Sequence, residues 1–182
     1  MDMTNNKIQL HDKVFRKYID SIDLQNAIKK IASQINMDYQ HDIPILVNVL
    51  EGSGLFLADL VNYLDIPIEI CSVKCSSYQD LQTTQNVKKV IGITRDISNR
   101  RIIIVEDIID TGLTINTLQD YLQQFNVQDI RIATMTFKKE SYKGSYPIDY
   151  VAIEVENKFI VGHGLDYNQL GRHLKDIYQL DI

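Results

Sequence analysis

Apolar residues follow two rhythms along this chain. From Ser21, SIDLQNAIKKIASQIN sets Leu24, Ala27, Ile28, Ile31 and Ile35 on one helical face, with Ser21 in place as N-cap. IPILVNVL is then an apolar run ending in EGSG, after which Phe56, Leu57, Leu60, Val61 and Leu64 recur at helical spacing. The same order returns further on: RIIIV reads as a strand, EDIIDTG as a turn, and Ile115, Leu118, Leu122 and Phe125 as the stripe of a helix. IPIEICSVKC, DIRIATMTF and DYVAIEV read as further strands. Strands alternating with helices predict parallel pairing, and runs without polar alternation predict a sheet covered on both faces. The fold class is therefore α/β, an open, mainly parallel, twisted sheet flanked by helices.

Residues 76–98 are polar with little periodicity, which predicts a long functional loop or lid. The core is expected over about 21–150, with a small hood from about 1–20 and 151–182. At 182 residues the chain fits one domain, and 45% hydrophobic with 24% charged residues is a globular composition. A net charge of -5 argues against a nucleic-acid surface and leaves small molecules as the expected partners. Cys71 and Cys75 alternate onto the same strand face as Val73, so they read as a core pair, not metal ligands. No apolar run reaches transmembrane length and the N-terminus lacks a signal peptide's apolar centre, so no membrane association and a cytoplasmic location are expected.

In open α/β sheets ligands bind beyond the carboxyl ends of the strands, which directs attention to EGSG and EDIIDTGLT. Thr111, Gly112, Leu113 and Thr114 open a helix, so their amides and hydroxyls suit a phosphate, or else merely cap the helix. Glu106 and Asp107 are adjacent and Asp110 follows closely. Carboxylates held at a buried strand end need a cation, a polyhydroxyl ligand or a proton. Beside a phosphate nest they suggest a sugar phosphate with Mg²⁺; a solvated acidic loop and a phosphoryl-accepting receiver pocket are the alternatives.

IIIVEDIIDTGLT resembles the signature of the type I phosphoribosyltransferases, and its full VEDIIDTG form resembles the hypoxanthine-guanine branch of that family. VLEGSGLFLADL is similar to the family's pyrophosphate loop, SSY at Ser76–Tyr78 to its flexible loop, and NKFIVGHGLDYNQLGRHL to its purine-binding end. The resemblance runs from about Lys7 to the C-terminus. It implies transfer of ribose 5-phosphate from phosphoribosyl pyrophosphate to hypoxanthine or guanine, with Mg²⁺ and assembly as a homodimer or homotetramer.

By the same resemblance Glu106 and Asp107 hold the ribose hydroxyls, directly or through Mg²⁺, while Asp110 to Thr114 bind the 5-phosphate. Asp110 also faces purine N7 as general base or acceptor. Glu51, Gly52 and Arg172 contact pyrophosphate, and Ser77 and Tyr78 belong to the lid. Lys138 donates to the 6-oxo group, Phe159 stacks on the base, the Ile160 backbone pairs with its edge, and Asp166 lies near the 2-position of the base and completes a second Mg²⁺ site at the pyrophosphate. Leu50 and Glu51 are expected to flank a non-proline cis peptide. Without the resemblance, Lys138 reads as an exposed lysine, Phe159 as a core aromatic and Arg172 as a helix-surface charge. The chain departs from the family pattern at Glu51, Gln79, Asn157 and His163. A regulator that keeps the fold as a nucleotide sensor is the alternative function; it would want a basic face or an added domain.

Overall fold

The computed structural model describes residues 6–78 and 87–181, with backbone alone for 76–78 and 87–91. Ten strands and three helices occur among them. The main sheet contains β3 (Ile45–Leu50), β4 (Glu69–Tyr78), β5 (Val87–Ile91), β6 (Arg101–Ile109), β7 (Asp129–Phe137) and β8 (Tyr150–Glu154), in the order β5-β4-β3-β6-β7-β8. All neighbours pair in parallel except β4 with β5. The parallel strands therefore end at one edge, where a ligand site is expected.

Both faces of the sheet are covered, which explains the unbroken apolar runs. Ile103 and Val105 of β6 point into a core with α1 (Ser21–Asp38) and α2 (Gly54–Val61). Their neighbours Ile102 and Ile104 point the other way, onto Ile115, Leu118 and Leu122 of α3 (Leu113–Gln123). Cys71 and Cys75 pack with Val73 on that second face.

Several element boundaries differ from those the sequence predicts. Asp20, not Ser21, caps α1: its side chain accepts from the Ile22 amide, while Ser21 is already helical and its own amide donates to Asp176. The polar tail of β6 continues as strand through Ile109, because Glu106 and Ile108 still pair with Thr134 and Thr136 of β7. Glu106 and Asp107 thus stand on a strand and not in a turn. Within the expected lid, Ser76 to Tyr78 continue β4, and β5 returns antiparallel from Tyr78↔Val87 to Lys74↔Ile91. Backbone pairing orders that stretch although its side chains carry no periodic signal. The part of the expected lid at 79–86, Gln79 included, lies outside the described residues.

The hood is a separate antiparallel sheet, β1 (Lys7–Leu10), β2 (Lys13–Ile19), β10 (Ile177–Leu180) and β9 (Ile160–Val161), closed over Leu10, Phe15 and Val161. Its C-terminal part starts after β8, slightly later than residue 151, because Tyr150–Glu154 belongs to the main sheet. Arg172 lies in a turn between β9 and β10, not on a helix. No described helix is long and apolar enough to cross a membrane.

Asp38, at the end of α1, accepts hydrogen bonds from the Tyr150 hydroxyl, at 2.7 Å, and from Arg131, tying the helix to β7 and β8. Tyr150 first, and Arg131 after it, hold the Asp38 carboxyl below its ordinary value against partial burial. A lowered carboxylate stabilises the fold above its unfolded value, and that contribution disappears as pH falls through the folded one. Asp38→Asn should therefore cost about 1 kcal/mol at pH 7, the modest size reflecting a partly exposed pair. Urea unfolding should find the difference gone in acid below the lowered value.

Candidate active site

Three strand tips meet at the carboxyl edge of the sheet. Glu106 and Asp107, near the end of β6, are each 8% exposed. Thr136 on β7 donates its hydroxyl to the Asp107 carbonyl at 2.9 Å, fixing the backbone there. Burial pushes the Asp107 carboxyl up, opposed by hydrogen bonding with Glu106, by the Ile108 amide and by the charge of Arg172. Two adjacent buried carboxyls resist simultaneous ionisation, so the position favours a cation or a proton.

The loop after β3 closes directly on this pair. A Cβ added at Gly52 would lie 1.7 Å from Asp107 Oδ2, so only glycine admits this approach. Gly164 in turn sits on Gly52: its φ is 99°, and a Cβ there would meet the Gly52 carbonyl at 2.2 Å. Arg172 completes the cluster, donating to the Gly164 carbonyl at 2.6 Å and pairing with Asp166 at 2.7 Å. The Leu50–Glu51 peptide at the head of the loop is cis. Glu51 itself points to Lys74, at 2.8 Å.

After β6 the chain turns through Gly112, with φ 84° as the left-handed cap residue of α3. Residues Ile108 to Ile115, with Glu106, line a cavity of about 110 Å³ into which the first turn of α3 opens. The amides at a helix start point outward along its axis and favour an anion there. Tyr142 supports the turn from below: a Cβ at Gly112 would be 2.4 Å from its ring, and the Lys143 amide donates to the Thr111 carbonyl at 3.1 Å.

Asp110 follows β6 and Lys138 follows β7, and the two form an ion pair at 2.7 Å. The lysine side chain is 9% exposed, so its charge has little water to rely on. β8 ends at the same edge, and residues 155–158 carry the chain to Phe159, which is 46% exposed and touches Phe15 and Tyr167 with its ring. Ile160 is buried in β9 against β10.

A family model for the phosphoribosyl transferase domain matches residues 20–168, a span that contains every element of this edge up to Asp166. The chain belongs to the phosphoribosyltransferase family. Hypoxanthine-guanine phosphoribosyltransferase of Aquifex aeolicus is 31% identical over 175 residues, 95% of this chain and 98% of that protein. The Streptococcus pneumoniae protein of the same name is 34% identical over 166 residues, covering 91% and 92%. A crystal structure of a hypoxanthine-guanine phosphoribosyltransferase from Bacillus anthracis, with HEPES in its active site, matches with a TM-score of 0.84 at 31% identity, covering 91% of this chain and 98% of that one.

In this phosphoribosyltransferase three clusters gather many of the residues expected at the site: Asp107, Gly52, Arg172 and Asp166; Asp110 with Lys138; and the Thr111–Thr114 turn. Lys138 is buried and Phe159 exposed, the reverse of their plain sequence readings. Glu106 and Asp107 stand together near the end of β6, and no group of three or more His, Cys, Asp or Glu side chains placed to hold a metal ion occurs among the described residues. Asp166 is instead engaged by Arg172 and by the Gln169 amide. Ser77 and Tyr78 are described only as backbone of β4. Gly164, Tyr142 and Lys74 were not singled out from sequence. Gly164 lies within the NKFIVGHGLDYNQLGRHL segment, but the role of each of the three is defined by what it meets across space.

Gly52→Ala should disrupt the site more than the fold. The new methyl must displace the Asp107 carboxyl, and misplacement on this scale costs roughly 10²-fold in rate. Steady-state transferase assays should show that loss while the far-ultraviolet circular dichroism spectrum stays native.

Proposed function

We propose that this phosphoribosyltransferase is a purine-salvage enzyme, moving ribose 5-phosphate from phosphoribosyl pyrophosphate to hypoxanthine, guanine or both with release of pyrophosphate. The observation that carries the reading is the buried Lys138 ammonium held 2.7 Å from Asp110 on neighbouring strand tips. The 6-oxo group and N7 are neighbours on one edge of a 6-oxopurine, so this pair matches that edge. Lys138 donates to the oxo group while Asp110 accepts the N7 proton, leaving N9 free to attack C1. Adenine presents an amino group instead, which would set a donor against a buried donor. The names of the similar proteins support the same substrates.

The sugar phosphate fits beside this pair. The Thr111 to Thr114 turn offers amides and hydroxyls to the 5-phosphate, and Glu106 and Asp107 offer oxygens to the ribose hydroxyls. Those neighbouring buried carboxyls are also the hard donors that Mg²⁺ prefers, and a site that draws other ligands from substrate and water needs only one or two of them. Mg²⁺, when bound, neutralises charge on the ribose and pyrophosphate oxygens. Asp166 would serve a second ion only by sharing its carboxylate with Arg172. Arg172 faces Asp107 and the Gly52 loop, so its charge stands where pyrophosphate would leave. Phe159, exposed beside the hood, offers a ring for stacking on the base, and the Ile160 backbone its edge contact. A cytoplasmic location and a homodimer or homotetramer belong to this proposal.

Mixing the protein with phosphoribosyl pyrophosphate, Mg²⁺ and each base in turn tests the reading. Hypoxanthine or guanine should be preferred over adenine on the order of 10³-fold or more, as expected where a buried donor selects its acceptor. No nucleotide from any 6-oxopurine would sink it. Asp110→Asn should slow turnover by roughly 10²-fold or more; a near-native rate would remove Asp110 from proton transfer.

A further inference from the structure

Glu51 presents a problem of charge. It heads the loop whose Gly52 lies against Asp107 and near Arg172, and a carboxylate there would repel a departing pyrophosphate. The structure answers with Lys74. In the parallel register of β3 and β4, Leu50 is paired with Lys74, so the lysine reaches the same carboxyl edge as the loop. Alternation puts it on the face of β4 opposite Cys71, Val73 and Cys75, clear of the core. Its ammonium meets Glu51 at 2.8 Å, and both side chains are about half exposed, at 54% and 52%. Lys74 first, and Arg172 more weakly, hold the Glu51 carboxyl below its ordinary value.

An ammonium has three donors, and one carboxylate oxygen occupies one of them. Arg172 has donors turned to Gly164 and Asp166, and Lys138 is buried against Asp110. Among the described side chains, Lys74 is thus the cation beside the loop with donor capacity to spare and open access to solvent. We propose that Lys74 is a pyrophosphate-binding residue of this site and that Glu51 acts as its positioning partner, a reading that rests on the phosphoribosyl transfer proposed above. The cation is delivered from the neighbouring strand, and the loop residue aims it.

The test uses K74M, K74R, E51Q and the K74M/E51Q double variant, with the Michaelis constant for phosphoribosyl pyrophosphate and product inhibition by pyrophosphate as readouts. K74M should weaken both roughly tenfold, the scale of one charge-assisted hydrogen bond. The Michaelis constant for hypoxanthine should stay within about twofold, because the base meets other residues. K74R should retain most of the affinity, separating lost charge from lost fold. The double variant should remain impaired. Unchanged constants in K74M would overturn the inference, and so would a double variant restored to native values, since Lys74 would then only shield Glu51. Calorimetric titration of native and K74M protein with magnesium pyrophosphate reads the same contact without turnover. A native protein that binds pyrophosphate through Lys74 yet makes no nucleotide would fail the transfer reading alone.

Discussion

The approach of the Gly52 backbone to the Asp107 carboxyl is the contact around which the catalytic edge is arranged. It requires β3 and β6 to be neighbours in register, since Gly52 follows one strand and Asp107 lies near the end of the other. It also requires no side chain at residue 52, and a second glycine at 164 so that the hood can rest on the loop. The two cores serve that requirement. Apolar residues on alternating sides of β6 lock the strand between α1 and α2 on one face and α3 on the other, so its acidic tip has little freedom to move. A rigid mount matters here because a buried carboxyl with a raised pKa would otherwise relax toward water.

Much of this was legible in the sequence, for identifiable reasons. RIIIV and ILVNVL announce doubly covered strands because nothing polar interrupts them, and the helical stripes of α1 and α3 follow a spacing that local sequence controls. The Thr111 to Thr114 turn is contiguous, so its geometry could be anticipated as well. Boundaries were less legible. Asp20 and Ser21 are both good caps, and the choice fell to Asp20 because the Ser21 amide has a tertiary partner in Asp176. The strand character of Glu106 and Asp107 was hidden because pairing with β7, not side-chain type, keeps that stretch extended.

Partnerships were least legible of all. Lys138 and Asp110 are far apart in sequence and meet only because β6 and β7 are adjacent and end together. Glu51 and Lys74 meet through the register of β3 and β4, and Gly164 reaches Gly52 only after the hood has folded back. In each case the residue types were visible and the register was not.

These partnerships share a logic. Each cation proposed to meet substrate is already held by a carboxylate: Lys138 by Asp110, Arg172 by Asp166, Lys74 by Glu51. Pairing in advance fixes direction, so little reorganisation remains when substrate arrives. The pairs differ in exposure, and the difference follows what each must do. Lys138, with its side chain 9% exposed, sits where the low dielectric would make a mismatched base costly, which is the source of selectivity in the proposed reaction. Lys74, at 54%, sits where water screens the charge, so in the proposed role an anion could be held during transfer and still be released afterwards. A pyrophosphate contact as buried as the base contact would bind more tightly and give up its product more slowly, so the shallow position of Lys74 suits a leaving group as the deep position of Lys138 suits an acceptor.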